Sequence, residues 1–202
     1  MQKFPEIACA VLAGGKNTRM KGKNKALLEV DGIRMIDRIL HEVENIFDEI
    51  IIISNSPEEL NVSEEKYILV KDKIENIGPL GGIYTALITT TKEAVFILPC
   101  DLPFLKTNII LEEIEAFQSN NCDVLVPRLG NYLEPLHSIF KKGLNKELFE
   151  FYQTTDNYFI TSFLDLLNVY YFDIEESRYH KRIFTNINTP QELIEVNSQG
   201  GK

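Results

Sequence analysis

The sequence predicts an α/β domain in which a mostly parallel sheet is covered by helices. Short apolar runs alternate with amphipathic segments through the first two thirds of the 202 residues, as in successive βα units. Glu49 to Ser54 contains four consecutive isoleucines and suits a strand buried on both faces. The apolar run from Ile7 to Leu12 stops at two adjacent glycines, Gly14 and Gly15, which marks a strand feeding a loop.

The remaining elements follow from spacing. Leu27 to Val30 is β-compatible and turns at Asp31-Gly32. Ile36, Ile39, Leu40, Val43 and Phe47 recur at helical spacing, with Arg38, Glu42 and Glu44 outside. Tyr67 to Val70 reads as a strand. Gly78-Pro79-Leu80-Gly81-Gly82 then breaks the chain before a helix carrying Ile83, Ala86 and Leu87. Ala94 to Leu98 is a further strand, followed by a helix with Ile110, Ile114 and Phe117 on one side. Asp123 to Pro127 and Leu133 to Phe140 are β-compatible, a helix spans about Lys142 to Tyr152, and Val169 to Phe172 is a late strand. Thr189-Pro190-Gln191-Glu192 has the form of a capping box with proline at the first helical position. One domain over 1–196 with a loose tail from Asn197 is expected.

Composition narrows the function classes. A net charge of −9 argues against a general nucleic-acid binder. No apolar run reaches membrane-spanning length, and Lys3, Pro5 and Glu6 interrupt any signal-peptide pattern. Cys9, Cys100 and Cys122 lie in or beside apolar runs without metal-ligand spacing, so reduced core thiols and a cytoplasmic location are expected.

Against this acidic background, the loop after the first strand stands out. No acidic residue lies between Glu6 and Glu29, whereas Lys16, Arg19, Lys21, Lys23 and Lys25 all do. Glycines let backbone N–H groups approach a ligand closely, and the cations match a polyanion such as a nucleotide triphosphate. A Walker A loop is excluded, because Asn17 stands where its first glycine belongs and Asn24 where Ser or Thr would hold magnesium. The dinucleotide fingerprint fails as well, since Gly14 and Gly15 are adjacent and Thr18 and Arg19 follow.

Asp101 sits just past a strand, between Pro99 and Pro103, at the expected carboxyl edge of the sheet. Open α/β sheets bind ligands at that edge, and magnesium accepts one or two protein oxygens there beside phosphate and water. Asn55 and Asp72 follow the second and third strands and reach the same edge. Asn186 and Asn188 precede the closing helix, where turn or cap roles also suit asparagine.

Leu12-Ala13-Gly14-Gly15-Lys-Asn-Thr-Arg19-Met-Lys21-Gly22-Lys-Asn-Lys25 resembles the LAGG-x-x-x-RMG-x-x-x-K signature of the molybdenum cofactor guanylyltransferases, with Lys21 in a glycine position. Gly78-Pro-Leu-Gly-Gly82 resembles the family's GPLAG turn, with Gly81 in the alanine position. Pro99-Cys-Asp-Leu-Pro103 and Asn186-Ile-Asn-Thr-Pro-Gln-Glu-Leu193 follow in the family's order. The resemblance implies a three-layer α/β/α Rossmann-like sheet of the nucleotide-diphosphosugar transferase type. It implies transfer of GMP from GTP to molybdopterin with release of pyrophosphate, and proteins of molybdenum-cofactor biosynthesis as partners. Carried over residue by residue, it assigns Arg19, Lys25 and Asp101 to catalysis, with Asp101 binding Mg2+. Leu12, Ala13, Gly14, Gly15, Lys25, Asn55, Asp72, Gly78, Pro79, Leu80 and Asp101 would hold the nucleotide. Asn186 would lie near the metal or the reacting phosphates, with Asn188 a further candidate in the same motif, and His137, in Glu134-Pro-Leu-His137, could face the second substrate. A lone histidine in a strand also suits a packed structural role. A relative that uses CTP or another acceptor, and a nucleotide-binding protein without turnover, are the alternative readings.

Overall fold

The computed structural model describes residues 3–14, 24–74, 77–175 and 177–199. The catalytic assignment of Arg19 and the nucleotide-binding assignment of Gly15 lie outside the described residues.

The strands are β1 (Ile7–Leu12), β2 (Glu29–Val30), β3 (Ile33–Arg34), β4 (Ile50–Ile53), β5 (Ile68–Val70), β6 (Ala94–Pro99), β7 (Val124–Leu129), β8 (Tyr132–Leu133), β9 (Ser138–Lys141) and β10 (Val169–Ile174). The helices are α1 (Met35–Val43), α2 (Pro79–Thr89), α3 (Thr107–Ser119), α4 (Asn145–Thr154), α5 (Ile160–Leu164), α6 (Arg178–Ile183) and α7 (Pro190–Gln199). An eight-stranded sheet has the order β10-β7-β9-β6-β1-β4-β5, with β8 added to β7. β5, β4, β1 and β6 run parallel to one another, as β10 does to β7. β9 enters antiparallel between β6 and β7. The mostly parallel α/β sheet read from the sequence is therefore present, and a two-stranded hairpin of β2 and β3 stands apart from it.

Side-chain alternation builds two cores. Cys9, Val11, Ile50, Ile52, Phe96 and Leu98 pack on one face with residues of α1 and α3. Ala8, Ala10, Ile51, Ile53, Val95 and Ile97 pack on the other with residues of α2, α4 and α5. The isoleucine run of β4 is continuous because both of its faces are covered. The three thiols are free and buried.

Several boundaries depart from the sequence reading. Residues 133–140 are not one strand: β8 ends at Leu133 and β9 begins at Ser138. Pro135 has no N–H for a ladder, and His137 N–H turns back to the Glu134 carbonyl at 2.9 Å. Residues 197–199 are helical and not loose, because α7 continues to Gln199. The Asn197 side chain accepts from Asp31 N–H at 2.9 Å, which ties that end to the β2–β3 turn.

His137 faces the core and not the carboxyl edge. It is 1% exposed, and its Nε2 lies 3.0 Å from Oε2 of the fully buried Glu113 on α3. The expected place near a second substrate gives way to this packing because Phe96 and Phe184 flank the ring edge-on.

The Gly78–Gly82 stretch does not precede the helix but forms its first turn. Gly78 has φ +62°, a conformation that only glycine adopts readily. A Cβ on Gly81 would lie 2.5 Å from the Ile74 carbonyl oxygen. The alanine of the related motif would thus require the backbone at Ile74 to shift. Gly81→Ala is expected to lower stability by about 1–3 kcal/mol in spite of alanine's better helix propensity. Denaturant unfolding of the purified variant measures this.

Burial pushes the Glu113 carboxyl up from its ordinary value, against the opposing pull of His137. A carboxyl raised in the folded state contributes stability below its unfolded pKa, and that contribution is lost as the pH rises through the folded value. Glu113→Gln is expected to gain stability relative to the parent as the pH is raised above 4.5, the ordinary value for the group. Thermal unfolding across that range tests the sign.

Candidate active site

The order of the sheet places the site. From β1 the chain moves outward through β4 and β5, then returns to β6 on the other side of β1. The crevice at such a reversal lies outside the carboxyl ends of the strands. Leu12 ends β1, and its carbonyl accepts from Cys100 N–H at 3.2 Å. That bond holds the start of the post-β6 turn, and so Asp101, against the end of β1.

Lys25 arrives at the same point. It opens a short 3-10 turn, Lys25–Leu27, whose preceding Asn24 side chain accepts from Ala26 N–H at 3.1 Å. Ala26 is fully buried and anchors the turn, as the apolar residues after Lys25 suggest. Lys25 Nζ lies 3.1 Å from Asp101 Oδ2 and donates to Asn188 Oδ1 at 2.6 Å. Asn188 is delivered by the C-terminal segment. Ile187 N–H donates to the Asp101 carbonyl at 3.1 Å, and the Ile187 side chain packs with Val30 and Met35. The capping box fixes the next residues: Glu192 Oε2 accepts from Asn188 and Thr189 N–H, and Glu192 N–H donates to Thr189 Oγ1.

Asp101 has two distinct oxygens. Oδ2 meets Lys25, whereas Oδ1 is buried and has no hydrogen-bond partner among the described residues. Buried polar atoms in folded proteins are nearly always satisfied, so an unsatisfied carboxylate oxygen at a ligand edge fits an incoming cation. Asn186 is half-buried two residues before Asn188. Cys100 adjoins Asp101, but burial pushes its thiol up to about 12. It is therefore neutral at physiological pH and unsuited to nucleophilic attack.

A second group of predicted residues lies along β1, β4 and β5. Ala13 N–H donates to the Ile53 carbonyl at 2.8 Å, which extends the β1–β4 ladder up to Gly14. Carbons built on Gly14 and Gly82 would each lie 3.7 Å from an oxygen of Asp72. The Asp72 carboxylate is thus lodged between the end of β1 and the first turn of α2. A carbon on Gly82 would also come within 2.9 Å of Leu12 Cδ2, so the backbone of α2 packs directly on the Leu12 side chain. Asn55 is exposed just past β4, while Pro79 and Leu80 begin α2. The structure therefore brings together Lys25, Asp101 and Asn188 in one cluster, and Leu12, Gly14 and Asp72 beside the turn of α2 in another. His137 joins neither.

Two supports were not singled out in the sequence. Thr85 is fully buried on α2, donates to the Gly81 carbonyl at 2.8 Å and accepts from Lys73 N–H at 2.9 Å. It ties the residue after Asp72 to α2. Asn24 caps the Lys25 turn. Its signal is present in the sequence as an asparagine immediately before a short apolar run.

The family model for the MobA-like NTP transferase domain matches residues 9–166. A probable molybdenum cofactor guanylyltransferase from Natranaerobius thermophilus is 30% identical over 203 residues, covering 97% of this chain and 97% of that protein. One from Pelotomaculum thermopropionicum is 35% identical over 189 residues, covering 92% and 89% respectively. Molybdopterin-guanine dinucleotide biosynthesis protein A from Archaeoglobus fulgidus shares the fold, with a TM-score of 0.77 at 24% identity, over 96% of this chain and 98% of that one. On the extent of the family match, the chain belongs to the MobA-like NTP transferase domain family.

Proposed function

We propose that this protein is a guanylyltransferase that transfers GMP from GTP to the terminal phosphate of molybdopterin and releases pyrophosphate. The observation that carries the reading is the meeting of Lys25, Asp101 and Asn188 at the reversal of the strand order. The names of the relatives support the choice of nucleotide and acceptor.

In this reading the substrate supplies the nucleophile, and the chain supplies position and charge. Anionic phosphate attacks an anionic triphosphate, so neutralisation is the main requirement. Lys25 brings a cation that is already held in place by two neighbours, which limits the reorganisation needed when phosphate arrives. Asp101 Oδ1 would hold Mg2+, whose role is to neutralise charge on the triphosphate oxygens. Asp72 would accept from the N–H groups of guanine or from ribose hydroxyls, with Gly14 and Gly82 leaving room for close approach. Asn188 would orient the Lys25 ammonium, and Asn186 would face the reacting phosphates.

GTP with magnesium is expected to raise the melting temperature by roughly 5–10 °C at about 100 times its dissociation constant, and CTP by clearly less. Removal of magnesium by chelation should abolish most of the shift. A CTP shift equal to or greater than that of GTP would favour a cytidylyl-transferring relative. Asp101→Ala and Lys25→Ala are each expected to lower pyrophosphate release about 100-fold or more while the circular dichroism spectrum is retained. Parent-like turnover in both folded variants would remove these residues from the mechanism.

A further inference from the structure

Glu113 and His137 are fully buried ionisable groups to which the transfer reaction gives no role. Glu113 is 0% and His137 1% exposed, with 3.0 Å between Oε2 and Nε2. None of the four side-chain polar atoms of the pair makes an aligned hydrogen bond to a described residue, so the two groups meet by close approach alone. Replacing such a pair by apolar side chains of similar volume is often neutral or stabilising, so stability alone does not account for it. Its geometry is nevertheless tightly defined. The His137 ring meets Phe96 at 5.2 Å between centroids with an interplanar angle of 79°, and Phe184 at 5.1 Å and 69°.

The contacts continue into the site. Phe184 follows α6 directly, and its N–H donates to the His180 carbonyl at 3.3 Å. Three positions later Ile187 N–H reaches the Asp101 carbonyl, and the next residue, Asn188, accepts from Lys25. A close contact between two buried polar groups has few arrangements that keep each beside the other, whereas apolar packing tolerates rotation and slippage.

We propose that Glu113 and His137 act as a positioning pair. By fixing the His137 ring against Phe184, they set the placement of residues 184–188, which keeps Ile187 on the Asp101 turn and Asn188 on Lys25. Neither residue touches the reacting atoms. The consequence for turnover rests on the guanylyltransferase reading, but the consequence for the backbone does not.

The test is amide hydrogen exchange at Ile187, with Cys9 as an internal reference because its N–H is bonded within the central sheet, to the Glu49 carbonyl at 2.9 Å. The double variant Glu113→Leu/His137→Phe removes both polar groups together and leaves neither buried without the other. It is expected to keep Cys9 protection while Ile187 exchanges about tenfold faster. With GTP and acceptor, its kcat should fall about tenfold with an unchanged KM for GTP, since orientation and not nucleotide binding is impaired. Glu113→Gln, which keeps a donor and an acceptor beside His137, should restore most of the Ile187 protection. Parent-like Ile187 protection in a double variant with normal Cys9 protection overturns the proposal. Should the double variant not fold, Phe184→Leu cuts the ring contact and leaves the pair in place. Faster exchange at Ile187 then supports the proposal, and unchanged exchange overturns it. If the parent protein itself shows no GTP turnover, the proposed activity fails while the exchange result still decides the role of the pair.

Discussion

The contact between the Lys25 ammonium, the Asp101 carboxylate and the Asn188 amide is the constraint on which the arrangement of the site depends. Three distant parts of the chain must meet for it to form. β1 and β6 must be neighbours so that the residues following each share one edge. The C-terminal segment must then cross back over that edge, which Ile187 secures through its bond to the Asp101 carbonyl. α7 is held down by the apolar cluster of Val30, Met35 and Ile187, with Leu193 and Val196 packed against it. The β2–β3 hairpin, which stands outside the main sheet, thereby has a clear role as a platform for the chain terminus.

Electrostatics explains why the lysine has partners at all. In a protein of net charge −9, an unpaired cation on a long side chain would be free to sample many orientations. Held by a carboxylate and an amide, and about four-fifths shielded from solvent, the Lys25 side chain loses much of that freedom before a ligand arrives. The carboxylate restrains Lys25 through one oxygen, while the other is buried without a hydrogen-bond partner among the described residues.

The fold was legible where side-chain chemistry is local. Strands buried on both faces appear as uninterrupted β-branched runs, and the box at Thr189–Glu192 carries its own capping pattern. Sheet order was not legible, because nothing within β9 specifies that it enters antiparallel between β6 and β7. α6 was missed because Arg178–Ile183 is largely polar and too short to show an apolar period. In the site, Lys25, Asp101 and Asn188 were identified from motif spacing, but their direct contact depends on tertiary packing. Glu113 was illegible for a related reason. A glutamate beside Ile114 reads as solvent-facing, and only the packed fold brings His137 to it. The assignments to Gly15 and Arg19 fall outside the described residues.

The chemistry around Asp101 also bears on where the attacking group must come from. Cys100 is the nearest nucleophilic side chain in sequence, yet burial and the neighbouring carboxylate both raise its thiol, and the Lys25 charge only partly offsets them. A neutral, solvent-excluded thiol is a poor nucleophile. The Lys25 ammonium, by contrast, is a shielded cation beside the same turn and suits the charge of a phosphate. Such a site gains most by orienting two substrates for direct transfer, because a covalent protein intermediate would require a second transfer step and an activated side chain. In the proposed guanylyl transfer, the arrangement of Lys25, Asp101 and Asn188 would therefore serve a single displacement between bound substrates, with the protein acting through position and charge.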